Sequence, residues 1–242
     1  MATVAEAVQI YNKRGRSRLS IGDLEGALVD LSRAIALAPD CAEAYQYRGM
    51  VYQCLGDLRR AIDDFTVVVK LAPPSGELVC RACYHRAMAR LSLGDLEGAK
   101  VDFTTIIRCR PESGEAYLHR GTIRYTQGDL PGAIADFGEA IRLAPDQDTA
   151  YVWRGNTRRE YGDLAGAIAD YDAAISLCTT DVRVFLGRGS LRARTGDFQG
   201  ALADLTEYLR WGGGRDFGNQ GEVERQIAAL REKLRRDGQT VS

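Results

Sequence analysis

The 242-residue chain lacks a surplus of either charge: 32 lysines and arginines stand against 33 aspartates and glutamates, a formal charge of -1. That balance argues against a polyanion-binding surface, and 45% hydrophobic content argues against wholesale disorder. No apolar run approaches the roughly 18 residues of a membrane span, so neither nucleic acid nor membrane is an expected partner. No basic segment leads into an apolar one at the start, where Met1-Ala2-Thr3-Val4-Ala5-Glu6 precedes the first cations, Lys13 and Arg14. Six cysteines without an export signal read as reduced thiols rather than a disulfide framework, so the expected compartment is cytoplasmic.

What is present is a repeat. Gly-Asp followed by an apolar residue recurs at Gly22, Gly56, Gly94, Gly128, Gly162 and Gly196, with spacings of 34, 38, 34, 34 and 34 residues. Eleven before that Gly stand Tyr11, Tyr45, Cys83, Tyr117, Tyr151 and Phe185, and seven before it Gly15, Gly49, Ala87, Gly121, Gly155 and Gly189. Five after it is always Ala, from Ala27 to Ala201, and nine after it Leu31, Phe65, Phe103, Phe137, Tyr171 and Leu205. Rows four apart share a helical face, so each copy reads as two helices. The Gly suits the left-handed residue ending the first helix, and the Asp can cap the second. Pro39, Pro73, Pro111 and Pro145 stop the second helix in four copies, with Thr179 and Gly213 in that place in the last two.

Tyr-x-x-Arg-Gly (Tyr45–Gly49, Tyr117–Gly121, Tyr151–Gly155), Gly-Asp-Leu with its following Ala, and the terminal Pro together resemble the tetratricopeptide repeat (TPR) family. The resemblance covers residues 8–215 in six tandem copies: 8–41, 42–75, 80–113, 114–147, 148–181 and 182–215. It implies an all-α fold, a right-handed α-solenoid of antiparallel helix pairs whose first helices line a concave peptide-binding groove. It also implies an adaptor rather than an enzyme. Residues 1–215 therefore form the repeat region, and 216–242 a capping helix and short tail, since Val223, Ile227, Leu230 and Leu234 recur at helical spacing. The 38-residue spacing adds four residues near Pro73-Pro74-Ser75-Gly76-Glu77, about one turn, which implies an extended first helix or a longer loop in the third copy.

Eight before the turn Gly lies Arg in every copy (Arg14, Arg48, Arg86, Arg120, Arg154, Arg188), and eight after it Asp (Asp30, Asp64, Asp102, Asp136, Asp170, Asp204). Helical geometry turns the Arg toward the second helix, where burial demands a partner, and the Asp of the same repeat is the expected one. A second row, Arg18, Arg90, Arg124, Arg158 and Arg192, with Tyr52 in the second copy, is expected over the aromatic row, reaching carboxylates or helix C-terminal carbonyls.

Chemistry finds little foothold. Cys80-Arg81-Ala82-Cys83 with His85 lacks the second half of a zinc site, and the three side chains diverge around a helix. The only two histidines, His85 and His119, lie nine before their turn Gly and are expected side by side, offering hydrogen bonds to a peptide rather than holding metal. Phosphate loops, nucleophile elbows and His-Glu-x-x-His are absent, so neither catalysis nor a cofactor is expected.

Core rows repeat monotonously, whereas a recognition row should vary. Nine before the turn Gly the residues are Lys13, Tyr47, His85, His119, Trp153 and Gly187; six before it, Arg16, Met50, Met88, Thr122, Asn156 and Ser190. Both rows are expected to face away from the core, as an exposed aromatic and methionine strip. A peptide or partner helix is expected along Tyr47, Met50, Tyr84, Met88, Tyr125, Trp153 and Asn156, with His85, His119 and Thr122 in the same strip. Lys13 and Arg16 at one end, and Arg183 and Arg194 at the other, would meet acidic groups. The carboxylate clamp of some relatives is matched only in part, by Asn12, Arg16, Tyr47, Arg81 and His85. A self-assembling scaffold is the alternative reading, and an RNA-binding helical repeat a weaker third, opposed by the near-zero charge.

Overall fold

The computed structural model describes residues 3–74 and 76–236, so Ser75 and the expected tail after residue 236 lie outside the described residues. Among the described residues the chain is all-α. Helix α1 (Val4–Ser20) pairs with α2 (Leu24–Leu37), α3 (Ala42–Cys54) with α4 (Leu58–Leu71), and α5 (Glu77–Ser92) with α6 (Leu96–Cys109). Helices α7 (Gly114–Thr126) and α8 (Leu130–Leu143) follow in the same alternation. Then α9 (Asp148–Tyr161) pairs with α10 (Leu164–Ser176), α11 (Arg183–Thr195) with α12 (Phe198–Arg210), and short α13 (Gly213–Asp216) leads to α14 (Gln220–Arg236). The chain forms two compact units, Met1–Arg120 and Gly121–Ser242, with the boundary inside α7.

Each turn is built alike. The six turn glycines have φ between 79° and 95°, a region that costs other residues strain. The following Asp donates its N–H five residues back, as Asp23 does to the Arg18 carbonyl at 2.9 Å, and so closes the first helix. The same Asp caps the second helix: Asp23 Oδ1 accepts from the Gly26 N–H at 2.9 Å, and Asp57, Asp95, Asp129, Asp163 and Asp197 act alike. The two helices then approach so closely that a Cβ on Gly49 would lie 2.8 Å from Phe65, and one on Gly121 2.7 Å from Phe137. That contact explains the row of small residues facing large ones.

In the N-terminal unit each pair shares its core with the next: Ala27 and Leu31 of the first pair pack with Val51 and Tyr47 of the second. Three of the four extra residues of the 38-residue spacing lengthen the first helix of the third pair, 16 residues in α5 against 13 in α3, and the fourth lengthens the linker before it. In the C-terminal unit, Val152, Tyr171, Val184 and Leu191 join α9, α10 and α11 in one cluster. Val223, Ile227, Leu230 and Leu234 of α14 pack on Leu202, Leu205 and Tyr208 of α12. The turn into α14 is held by the Tyr208 hydroxyl, which donates to the Gly213 carbonyl at 2.9 Å or to Asn219 Oδ1 at 3.0 Å.

Candidate functional site

The charge rows form a skeleton beneath any binding surface. Arg14 pairs with Asp30, Arg48 with Asp64, Arg86 with Asp102, Arg154 with Asp170 and Arg188 with Asp204, each at 2.5 to 2.7 Å within its own repeat. Pairing with Arg14 holds the Asp30 carboxyl below the ordinary carboxylate range, against the opposing effect of burial. The second arginine row closes on the same carboxylates: Arg18, Arg90, Arg124, Arg158 and Arg192 reach Asp30, Asp102, Asp136, Asp170 and Asp204 at 2.7 to 2.9 Å. Of the two expected kinds of partner the carboxylates are the ones reached, and the carbonyls that also accept from these arginines lie in the first turn of the second helix, at Gly26, Gly98, Gly132 and Gly166, rather than at a helix C-terminus. That first turn faces them across the hairpin, whereas its C-terminus is a helix length away. The first row also links repeats, for Arg86 donates to Thr66 at 3.0 Å and Arg188 to Asp172 at 2.5 Å, both on the preceding second helix.

In the row nine before the turn Gly, Lys13 is exposed, but Tyr47, His85, His119 and Trp153 pack between repeats instead of standing exposed. His85 stacks on Phe65 with ring centroids 5.5 Å apart, His119 on Phe103 at 4.9 Å and Trp153 on Phe137 at 6.2 Å, all within 20° of parallel. Each ring therefore covers the aromatic of the preceding repeat. The period of one helix defines a face, but the neighbour that covers the face comes from stacking, which explains the departure from the expected exposed strip. Burial lowers the pKa of both histidines, with Arg81 adding to the effect at His85 and Glu115 opposing it at His119. His85 Nδ1 lies 3.0 Å from Gln53 Oε1, so that nitrogen has a partner inside the protein and is not open to a peptide.

The stack is interrupted once. Gly187 replaces the ring, and beneath it lies Tyr171, close enough that a Cβ on Gly187 would meet the Tyr171 ring at 3.1 Å. Tyr171 is the copy that adds a hydroxyl to the aromatic row, and that hydroxyl donates to Asn156 Oδ1 at 2.7 Å. Above this gap opens a cleft of about 870 Å³ in the C-terminal unit. Its lining includes Tyr125 of α7, Trp153, Asn156 and Arg159 of α9, Arg183, Leu186 and Ser190 of α11, and Phe217 with Glu222 and Gln226 of α14. Tyr125 packs edge-on to Trp153 at 5.7 Å, and its hydroxyl hydrogen-bonds Glu160, which together with burial pushes its pKa up to about 12. The Asp181 carboxylate accepts from Arg183 Nε and Nη2, both at 2.8 Å, so Arg183 enters the cleft already neutralised. Arg159 has no ion-pair partner among the described residues.

Comparison with known proteins places this geometry. The tetratricopeptide repeat model matches residues 12–76, 84–148 and 121–182, more than half of the sequence. The chain belongs to the tetratricopeptide repeat family. No curated protein sequence matches it. Among solved structures, YrrB, described as a TPR protein with an unusual peptide-binding site, aligns with a TM-score of 0.66 at 20% identity over 77% of this chain and 98% of its own. MamA aligns with a TM-score of 0.66 at 21% identity over 72% of this chain and 92% of its own. PilF of Pseudomonas aeruginosa aligns with a TM-score of 0.66 at 17% identity over 90% of this chain and 99% of its own. Likeness at these identities establishes the TPR fold.

Of the residues expected to bind a ligand on this TPR scaffold, Tyr125, Trp153, Asn156 and Arg183 come together in the C-terminal cleft. Thr122 is half-buried on α7, and Arg194 is exposed on the last turn of α11 outside the cleft lining. Arg183 departs from its expected role toward acidic groups, because Asp181, two residues earlier, already occupies its guanidinium. In the N-terminal unit, Tyr84 and His85 line a smaller cavity of about 310 Å³ with Arg81, Arg110 and Glu115. Lys13 borders a shallow hollow beside Glu6, Gln9 and Ile10, and the Arg16 guanidinium lies 5.5 Å over the Tyr47 ring. Tyr47, Met50, Met88 and His119 are half-buried rather than exposed. Ser190 of the expected recognition row also lines the cleft, whereas sequence reasoning missed Arg159, Phe217, Glu222 and Gln226. The signal that marks the spot is Gly187, the single member of its row without a side chain.

Proposed function

We propose that the chain is a non-catalytic protein-interaction module that takes a peptide or partner segment in the cleft of its C-terminal unit, an adaptor acting in the cytoplasm. The observation that carries this reading is the gap at Gly187. A repeat row that elsewhere fills the space between repeats with a ring leaves it open here, beside Trp153 and Asn156. A volume of about 870 Å³ lies within the range of ligand sites. Trp153 offers an aromatic anchor of the kind that dominates interface energetics. With Asn156 Oδ1 accepting from Tyr171, the amide Nδ2 is free to donate to a peptide carbonyl, and Arg159 supplies a cation without an ion-pair partner among the described residues. Six free thiols suit a reducing compartment. No helix among the described residues is long and apolar enough to cross a membrane, and among them no cluster of three metal-ligating side chains occurs. The proposed partner is another protein.

The test is selection of peptides from a random display library on the full chain, followed by amide hydrogen exchange with a selected peptide bound. Protection gained in α9, α11 and α14 supports the assignment. Protection confined to α1–α6, or no enriched peptide, contradicts it.

A further inference from the structure

We propose that Cys80 and Cys109 form an oxidation site: a thiol pair that closes to a disulfide on meeting a low-molecular-weight disulfide, stapling the open end of the third helix pair. Cys80 lies in the first turn of α5 and Cys109 is the last residue of α6, so both stand at the end of the hairpin opposite its turn at Gly94. The helices pack against each other, and Cys80 shares the lining of one cavity with Ile106 and Arg110, the residues a turn before and directly after Cys109. Cys80 is 5% exposed and borders the 310 Å³ cavity, whereas Cys109 is half-buried. The Cys109 thiol also donates to the Pro74 carbonyl at 3.0 Å. The site thus coincides with the one spacing of 38 residues in a ladder of 34.

The surroundings decide which thiols take part. Burial pushes the Cys80 thiol up, so Cys109, the more accessible of the two, is the point of entry. Cys83 is fully buried, and burial together with the Asp102 carboxylate pushes its thiol up to about 12, which keeps it protonated and out of the exchange. The Cys109 thiolate attacks one sulfur of RS–SR, forming the Cys109–SR mixed disulfide and expelling RS⁻. The Cys80 sulfur then displaces the second RS⁻ from Cys109, and its proton passes to the departing thiolate. Two protein thiols are oxidised and one external disulfide is reduced to two thiols. Closure takes the Cys109 sulfur away from the Pro74 carbonyl, so oxidation exchanges the tie between α6 and the preceding linker for a covalent tie within the pair.

The full chain, dilute and at mildly alkaline pH, is incubated with oxidised glutathione and mapped by mass spectrometry without reduction. The expected result is a crosslinked Cys80–Cys109 peptide and a melting temperature raised by about 5 °C, both reversed by dithiothreitol. Cys80→Ser should arrest the reaction as a glutathione adduct on Cys109, and Cys83→Ala should leave the crosslink intact. Cys54 and Cys178, both exposed, report that the oxidant is active. Adducts on those two with Cys80 and Cys109 untouched would overturn the proposal. So would a crosslink joining either thiol to any other cysteine, or separate adducts without a crosslink.

Discussion

The two units use one set of repeat rows to opposite ends. In the N-terminal unit the row between repeats is filled by Tyr47, His85 and His119, and the cavity beside His85 is about 310 Å³. In the C-terminal unit the same row runs from Trp153 to Gly187, and the cleft is about 870 Å³. The difference is one missing side chain, one added hydroxyl on Tyr171, and further lining supplied by Phe217 and α14. The cleft is therefore made by subtraction, at a place where the remaining rows hold the helices without the ring.

The largest effect should come from the skeleton common to both units. Asp102→Ala strands Arg86 and Arg90, and Asp170→Ala strands Arg154 and Arg158. Each should cost about 3 kcal/mol in urea unfolding, at the low end for breaking a buried pair because the second arginine of each site keeps water contact. Comparable losses in the two units are expected, and a cost confined to one would break the claim of a shared skeleton.

A transplant sharpens the contrast further. Gly187→His alone drives a ring into Tyr171 and should destabilise by about 1–3 kcal/mol through overpacking. Adding Tyr171→Phe recreates the His-on-Phe stack of the second and third copies and should recover part of that loss while filling the cleft. Thermal melts of the single and double variants, with affinity for a selected peptide, separate the packing effect from the binding effect.

Acid should act on the N-terminal unit alone in the mildly acidic range, because both histidines lie there. Burial lowers their folded-state pKa values, so as pH falls below about 6.5 the unfolded chain takes up protons before the folded one does. The stability they contribute is complete above that pH and declines as pH drops toward the folded values. Hydrogen exchange at pH 7.5 and pH 5.5, corrected for intrinsic rates, should show loosening around α3–α6 and little change in α9–α12. His85→Phe with His119→Phe should remove the effect. The smallest change belongs to Arg194→Ala, which should leave peptide affinity unaltered and stability within about 0.5 kcal/mol, since Arg194 is exposed outside the cleft.

Much of the fold is written in rows that need only one helix pair to interpret. The turn glycines, the capping aspartates and the Arg–Asp pairs are local to a hairpin, and a period of 34 repeats them until their partners are evident. What the pattern leaves open is which neighbour covers a variable face. Tyr47 and His119 have the composition of a recognition strip, yet a ring is equally suited to covering the core residue of the previous repeat, Leu31 under Tyr47 and Phe103 under His119, and only stacking distinguishes the two. Phe217, Glu222 and Gln226 carry no repeat signature, because they follow the last copy and reach the cleft only through the turn that Tyr208 secures. Arg183 looked available because its partner Asp181 precedes the helix and escapes helical spacing rules.

The most direct test fills the cleft without touching the packing. Ser190 is exposed on α11 and lines the cleft, its hydroxyl bonded only to the Leu186 carbonyl of its own helix. Ser190→Trp should lower the affinity of a library-selected peptide at least tenfold, measured by fluorescence anisotropy, with the melting temperature unchanged. Undiminished affinity in a variant that melts like the wild type would contradict the assignment of binding to this cleft.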